Sequence, residues 1–315
     1  MIAGFIDQMR AEGYAVESIC AVLREQGVPV AARTYRSWKQ PGRQPAARTV
    51  SDAVVMDALL ATVGTPEGLY GRRKMTAYLR RCGLAVAHCT VDRLMRSLGL
   101  AGVVRGRRVR TTIPAKDGTR AADLLNRNFT AAAPNTVWVA DFTYVRTWAG
   151  FVYVAFAVDV YSQMIVGWHA LAHKQTELVL TALRMGTWRR AHDGHPVQAG
   201  LVHHSDAGSQ YTSVHFTEHL ALEGIAPSIG SVGDAYDNAL MESVIGLYKT
   251  ECIRRGPFHD GPLRTLSDVE YATATWVEWW NNARLHSTLG HIPPAEHEAA
   301  YYAAITASQP EPRPV

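Results

Sequence analysis

Two acidic side chains, Asp206 and Glu242, stand with 35 residues between them, each at the border of an apolar segment. Leu201 to His204 reads as a short buried strand, so Asp206 in V-H-H-S-D-A-G-S-Q-Y falls just past a strand end. The stretch D-A-Y-D-N-A-L-M-E-S-V-I-G-L-Y-K reads as a loop entering a helix. Asp237 or Asn238 can accept there from the free N–H groups of the first turn. On that helix Asn238, Glu242, Ile245 and Lys249 follow at i, i+4, i+7 and i+11 and share a face. Leu240, Val244 and Leu247 take the opposite one. A third carboxylate, Asp141 in N-T-V-W-V-A-D-F-T-Y-V-R-T, follows an apolar run and precedes the β-prone Phe142, Thr143, Tyr144 and Val145. Hard divalent cations prefer oxygen ligands on rigid elements. Two such ions about 3.5–4 Å apart suit phosphoryl transfer. Asp141, Asp206 and Glu242 supply that ligand set.

Charge is divided unevenly along the chain. Residues 1–130 hold 21 Lys/Arg against 10 Asp/Glu, and residues 131–315 hold 11 against 18. A basic first part suits a polyanion and an acidic remainder suits metal, although solvated basic helices would give the same count. No apolar run approaches the ~20 residues that span a bilayer. Met1 to Arg10 lacks the basic-then-apolar pattern of a secretory signal. Cys20, Cys82, Cys89 and Cys252 form no C-x-x-C pair, which favours reduced cytoplasmic thiols over structural zinc.

Residues 1–45 read as a short helical unit, with Phe5, Ile6 and Met9 in one stripe and Val16, Ile19, Cys20 and Leu23 in a second. Gly13 and Gly27 punctuate them, and Tyr35 and Trp38 supply aromatic bulk. The unit is either a helix-turn-helix or a three-helix packing unit. Lys39 to Ala47 reads as a linker. Further on, Arg72 to Cys82 makes a basic helix stopped by Gly83, and His88 to Leu98 a second with an apolar face of Val91, Leu94, Met95 and Leu98. Arg93 and Arg96 project elsewhere, towards solvent or towards phosphates and guanine edges. V-R-G-R-R-V-R places Arg105, Arg107, Arg108 and Arg110 in one short run, suited to salt-sensitive phosphate contacts.

The second half alternates. Val137 to Thr147 and Phe151 to Val160 read as an antiparallel hairpin about Trp148–Ala149–Gly150, and Met164 to Ala170 as a third strand. Glu177 to Arg190 and Val214 to Leu222 read as helices, Leu201 to His204 and Ile225 to Ile229 as strands, and Leu266 to Trp280 as a long helix. Three meandering strands followed by alternating helices and strands is the order of a ribonuclease-H-like fold, though other α/β folds share it. Asp159, before a Ser-containing turn, reads as a cap for backbone N–H groups. His204 can orient a carboxylate, approach DNA or simply be hydrogen-bonded in place; Arg284 and His286 either touch DNA or brace the core. The pairs His169/His173 and His215/His219 have i, i+4 spacing but no acid in register to complete a zinc site. No G-K-[ST] glycine-rich loop implies ATP.

Five segments, together with the amino-terminal helical motifs, carry a resemblance that runs over nearly the whole chain: W-V-A-D-F-T-Y, V-D-V-Y-S-Q-M-I-V-G-W, H-S-D-A-G-S-Q-Y, D-A-Y-D-N-A-L-M-E-S and W-W-N-N-A-R-L-H-S-T-L-G. In that order, with Lys249 seven residues after Glu242, the chain resembles the second-reading-frame transposases of the IS3 family of insertion sequences, whose core is of the retroviral-integrase (rve) D-D-E type. The resemblance implies an α/β fold, a ribonuclease-H-like core with a mixed five-stranded sheet and flanking helices, preceded by all-α helix-turn-helix modules. It implies a helical unit at 1–45, a helix-turn-helix with a basic arm at 51–112, a linker at 113–134, the core at 135–255, a helical extension at 256–307 and a disordered tail at 308–315. Asp141, Asp206 and Glu242 carry over as catalytic and metal-holding residues for two Mg²⁺ ions, with Mn²⁺ able to substitute. Lys249 carries over as a basic residue near the DNA end, and Arg93, Arg96, Arg105, Arg107, Arg108 and Arg110 as DNA-binding. The implied partners are double-stranded terminal repeats and target DNA, a homodimer or higher multimer, and an upstream-frame protein joined by frameshifting. The implied location is cytoplasmic, at a bacterial nucleoid. Ala207 and Gln163 stand where the family usually has longer polar or basic residues, and G-S-V-G-D-A-Y-D reads as a mobile flap. A DNA-binding factor without chemistry and a stand-alone nuclease such as a junction resolvase are the competing readings.

Overall fold

The computed structural model describes residues 2–42, 44–104, 130–206, 210–229, 239–254 and 256–308. The chain divides into two units, Met1–Val55 and Met56–Val315. In the first, α1 (Ile2–Ala11), α2 (Val16–Glu25) and α3 (Ala32–Trp38) enclose Ile6, Ile19, Cys20, Val30 and Tyr35. Phe5, expected in the stripe with Ile6, is exposed, because adjacent helical residues lie about 100° apart round the axis. Trp38 is exposed as well. Gly13 and Gly27, at φ 96° and 79°, follow α1 and α2 in the left-handed conformation that closes a last helical turn without a Cβ clash. The Tyr35 hydroxyl donates to Asp7 at 2.6 Å and accepts from Arg10 at 3.2 Å, fixing α3 to α1.

After α4 (Ala47–Leu60), the second unit continues through a 3₁₀ turn at Pro66–Leu69 into α5 (Arg72–Arg81) and α6 (His88–Ser97). Gly83, at φ 86°, ends α5, and α6 buries Val91, Leu94 and Met95 as its periodicity predicts. The sheet then forms from β1 (Val137–Thr147), β2 (Gly150–Asp159), β3 (Ile165–Leu171), β4 (Val202–Ser205) and β5 (Ala226–Ile229), in the order β3-β2-β1-β4-β5. β1, β2 and β3 run antiparallel, and β4 and β5 run parallel to β1. This mixed five-stranded sheet with helices on its faces is the ribonuclease-H-like arrangement. Predicted and observed strand ends differ by no more than about two residues.

The sheet has two covered faces, set by strand alternation. Trp138, Ala140, Ala155, Ala157 and Val166 face α7 (Thr176–His192), whose Leu178, Leu180 and Leu183 complete that core. Two glycines bring α7 close. A Cβ on Gly167 of β3 would lie 1.9 Å from the Ala182 carbonyl oxygen, and one on Gly186 would lie 2.9 Å from the Trp138 ring. The opposite face carries Phe156, which meets Tyr248 and Trp276 edge-on at 5.0 and 6.0 Å. Trp276 belongs to α10 (Leu266–Asn282), opened by a capping box between Thr265 and Asp268. Between β4 and α10 lie α8 (Val214–Leu222), α9 (Ala239–Leu247) and a π-helical segment, Tyr248–Arg254, that continues α9. A final helix, α11 (Pro294–Ser308), was not foreseen individually; Ser308, expected to start a tail, is its last residue. The remaining tail, the G-S-V-G-D-A-Y-D segment and the Asp237/Asn238 cap lie outside the described residues, as do Arg105, Arg107, Arg108 and Arg110.

Candidate active site

Register brings the first two acids together. Asp141 pairs with Phe156 across β1 and β2, so it points to the face covered by α9, the π segment and α10. The β1–β4 ladder ends at Ala140↔Ser205. Asp141 and Asp206 follow one residue on in each strand, so their backbones continue side by side at about the 4.8 Å spacing of neighbouring strands. Glu242 comes from the first turn of α9. Asp141 is half-buried, whereas Asp206 and Glu242 are exposed.

The three acids share one electrostatic field. The Asp141 carboxyl is pushed up to about 8, first by burial, then by the negative charge of Asp206 and, more weakly, of Glu242. The Phe142 amide donates to Asp141 Oδ1 at 2.7 Å, and this bond and the charge of Lys249 oppose the rise. Lys249 is half-buried and shifted the other way, its ammonium destabilised by burial and by Arg254. Among the described residues, no three His, Cys, Asp or Glu side chains are gathered into a ready metal cage. The chemistry of the three acids suits a hard cation, since all offer carboxylate oxygens, from a central strand, a strand end and a packed helix, and the charges of Asp206 and Glu242 both bear on Asp141.

The face of α9 differs from the one read in the sequence. Met241, Val244 and Tyr248 are buried, while Leu240 and Leu247 are only partly so. The helix widens into the π segment at Tyr248, so Lys249 leaves the α-helical register that would align it with Glu242. It nevertheless still lies near Asp141.

Tyr211 was missed as a site neighbour. Its hydroxyl is buried with no hydrogen-bond partner among the described residues, and burial together with the charges of Asp141 and Asp206 raises its pKa. The available signal was its place five residues after Asp206 within one motif. Asp159 sits elsewhere, fully buried: it accepts from the backbone N–H of Asn135 at 2.7 Å and of Tyr161 at 2.9 Å, and from Trp138 Nε1 at 3.2 Å. Arg190 bridges it to Glu298. His204 is buried, with Nδ1 2.9 Å from Ser228 Oγ.

The W-W-N-N-A-R-L-H segment braces the core. The Asn281 side chain both accepts from Ile165 N–H and donates to Ile165 C=O, each at 2.9 Å, in the manner of an extra strand. Arg284 grips Glu251 of the π segment with Nε at 3.0 Å and Nη2 at 2.7 Å, and lies 4.5 Å over the Trp280 ring. His286 is buried between Trp280 and Gln163. On α6, Arg96 pairs with Asp92 at 2.8 Å, and Asp92 also pairs with Arg72 at 3.1 Å. Arg93 is partly buried on the same helix.

Residues 131–235 and 223–294 match two families each described as "Integrase core domain", and residues 61–108 match an "HTH-like domain". A candidate transposase for insertion sequence element IS986/IS6110 of Mycobacterium tuberculosis is 47% identical over 276 residues, 88% of this chain and 97% of that one. The transposase for insertion sequence element IS629 of Shigella sonnei is 45% identical over 303 residues, 95% of this chain and 96% of that one. Transposase InsF for insertion sequence IS3A of Escherichia coli is 28% identical over 294 residues, 93% and 97% of the two chains.

Proposed function

Because the chain belongs to the IS3 family of insertion-sequence transposases, enzymes of the polynucleotidyl transferase type, we propose that it cuts and joins DNA at insertion-sequence ends with Asp141, Asp206 and Glu242 as its catalytic acids. The observation that carries this reading is the shared field at Asp141, whose carboxyl is held at about 8 by burial, Asp206 and Glu242. A buried carboxyl beside other acids is relieved either by a proton, as its raised pKa records, or by a bound cation. The three carboxylates would hold two Mg²⁺ ions, which supply activation of the attacking oxygen and stabilisation of the leaving one.

The reaction is an in-line displacement at phosphorus: water or a DNA 3′-OH attacks, and the bridging oxygen of the phosphodiester leaves with the other strand. No side chain becomes bonded to DNA. β1 holds Asp141 rigidly at the sheet centre, α9 presents Glu242 from a packed helix, and Lys249 neutralises phosphate charge beside them. The 61–108 segment grips the terminal repeat, with Arg93 and Arg96 on its second helix, and Arg105, Arg107, Arg108 and Arg110 supply charge for DNA phosphates. Holding two ends at once requires at least two copies of the chain.

A strand-transfer assay with labelled DNA ends and Mg²⁺ tests the reading. Replacing Asp141, Asp206 or Glu242 by Ala should abolish end cleavage and joining while end binding persists. A Glu242→Ala protein that still cleaves would overturn the assignment. Binding without any cleavage by the unaltered protein would favour a DNA-binding factor.

A further inference from the structure

The β1–β2 hairpin presents aromatic rings to solvent in a way no core requires. Tyr144, Trp148 and Phe151 are 46%, 72% and 52% exposed, within eight residues of one another at the far end of the strand that carries Asp141. Tyr144 and Phe151 meet edge-on at 5.4 Å. Each end of the cluster has a cation over a ring: Lys249 Nζ is 4.8 Å from the Tyr144 centroid, and Arg264 Cζ is 5.1 Å from that of Trp148. Arg146, exposed, stands between them along β1.

The tip is also held still. It turns in two residues, Trp148 and Ala149, because Thr147 pairs directly with Gly150. The amide N–H groups of Trp148 and Ala149 donate to the carbonyls of Leu263 and Arg264 at 3.3 and 3.0 Å. Gly150, at φ 123°, takes a conformation closed to other residues. Rings fixed on a tethered turn lose little freedom when something stacks on them.

From this arrangement we infer that the hairpin is a stacking platform for unpaired bases of the DNA being cut or joined, with Tyr144 and Trp148 as stacking rings and Lys249 and Arg264 taking the adjoining phosphates. The inference rests on the function proposed above and names where the DNA strand runs on leaving the acids. Rings interleaved with cations are the pattern that binds single-stranded nucleic acid, since every base has a face to stack and every link a charge. Tyr144 lies three residues, or about 10 Å, beyond Asp141 along the strand. That is roughly three base steps at 3.4 Å each. By alternation Tyr144 is on the other face of the sheet, so DNA leaving the acids reaches it round the edge of β1 that β4 leaves open beyond Ala140. Among the described residues, β1 pairs with β4 only as far as Ala140, so the stretch that carries these rings has a strand on one side alone. Lys249, near enough to Asp141 to act on its charge, also covers Tyr144, joining the acids to the platform. A second copy of the chain fits less well, because a two-fold contact would bring one cationic patch, with Lys249, Arg146 and Arg264, against another.

The test compares a fully paired terminal-repeat duplex with one carrying a few unpaired terminal nucleotides, by fluorescence anisotropy and by 2-aminopurine emission at an unpaired position. The proteins are the full chain and its Tyr144→Ala, Trp148→Ala and Trp148→Phe variants. Trp188→Ala, an equally exposed tryptophan on α7, is the control. Each alanine variant should bind the unpaired-end duplex about 5- to 150-fold more weakly, the range that loss of one base–aromatic stack produces. Binding to the paired duplex should stay within about twofold, Trp148→Phe should restore most of the loss, and Trp188→Ala should change nothing. Equal losses on both duplexes, no loss on either, or conversion of a dimer to a monomer with binding unaltered would each overturn the platform. These outcomes are independent of the acids: wild-type cleavage abolished by Glu242→Ala, with Trp148→Ala indifferent to unpaired ends, would sink the platform and leave the acids standing.

Discussion

Asp141→Asn should stabilise the metal-free protein while destroying its activity. Asn keeps the shape and can still accept from the Phe142 N–H, but it removes the charge that burial, Asp206 and Glu242 disfavour. The Asp141 carboxyl titrates near 3.8 when unperturbed and near 8 in the fold. The folded state therefore binds this proton more tightly, and stability falls as pH rises through the window from about 4 to about 8. Above that window the full difference is about 6 kcal/mol, at 1.36 kcal/mol for each pKa unit. That figure is a ceiling: Asp206 and Glu242 are exposed and screened by water, so about 2–3 kcal/mol is the expected gain. For a unit of this size it corresponds to roughly 4–10 °C in Tm. Thermal unfolding in EDTA at about pH 5 and about pH 8.5 reads the effect, with the Asn variant's advantage about twice as large at the higher pH. Millimolar Mg²⁺ should then raise the wild-type Tm and leave the variant nearly unmoved, because the cation relieves a repulsion the variant no longer has. An Asn variant no more stable than wild type at high pH, or an advantage that does not grow with pH, would refute the shared field.

Two further outcomes test the scaffold. Glu298→Ala leaves Arg190 buried with Asp159 as its remaining acid, and urea unfolding should show a loss of about 3–5 kcal/mol, far above that of an exposed ion pair. Gly167→Ala puts a methyl 1.9 Å from the Ala182 carbonyl oxygen, where neither backbone can yield cheaply. The same assay should show a loss of at least about 3 kcal/mol, with α7 displaced from β3.

What could be read ahead of the structure follows from which interactions are local. Strand alternation around Asp141 and the 3.6-residue period of α6 are written in neighbouring residues, so β1, β2, α6 and α8 fall where the pattern puts them. The pairing of Asp141 with Asp206 was legible only as two apolar strands each ending in an acid. Their adjacency depends on the Ala140↔Ser205 register, which no local pattern specifies. The buried face of α9 was misread because its helix changes type at Tyr248, and the hydroxyl of that residue is drawn inward to Thr273 at 2.7 Å. Phe5 misled for the opposite reason: it is apolar, but its neighbour Ile6 takes the core position.

The segment around Arg284 gains its meaning only through contacts remote in sequence. Glu242 is on α9, and the π segment that continues α9 contains residues held by α10 and the turn after it: Tyr248 by Thr273, and Glu251 by Trp276 and the Nε–Nη2 edge of Arg284. The same turn reaches the helical region before the sheet, where Tyr70 stacks on Trp279 at 5.9 Å and accepts from the Leu285 N–H, while Trp279 Nε1 donates to Glu67 at 3.0 Å. Three mutually repelling carboxylates cannot hold their own geometry, because each gains by turning away from the others. The helix that carries Glu242 must therefore be fixed from outside the site, and the buried bidentate pair of Glu251 and Arg284 is suited to that. Its planar fork locks rotation as well as distance, which a lysine at Arg284 could not do. On the proposed chemistry Arg284 would act as a positioning residue, through the helix, and the anchor it provides is shared with the region that matches the HTH-like domain. On the function proposed, DNA grip and acid placement would in this way be tied to one turn.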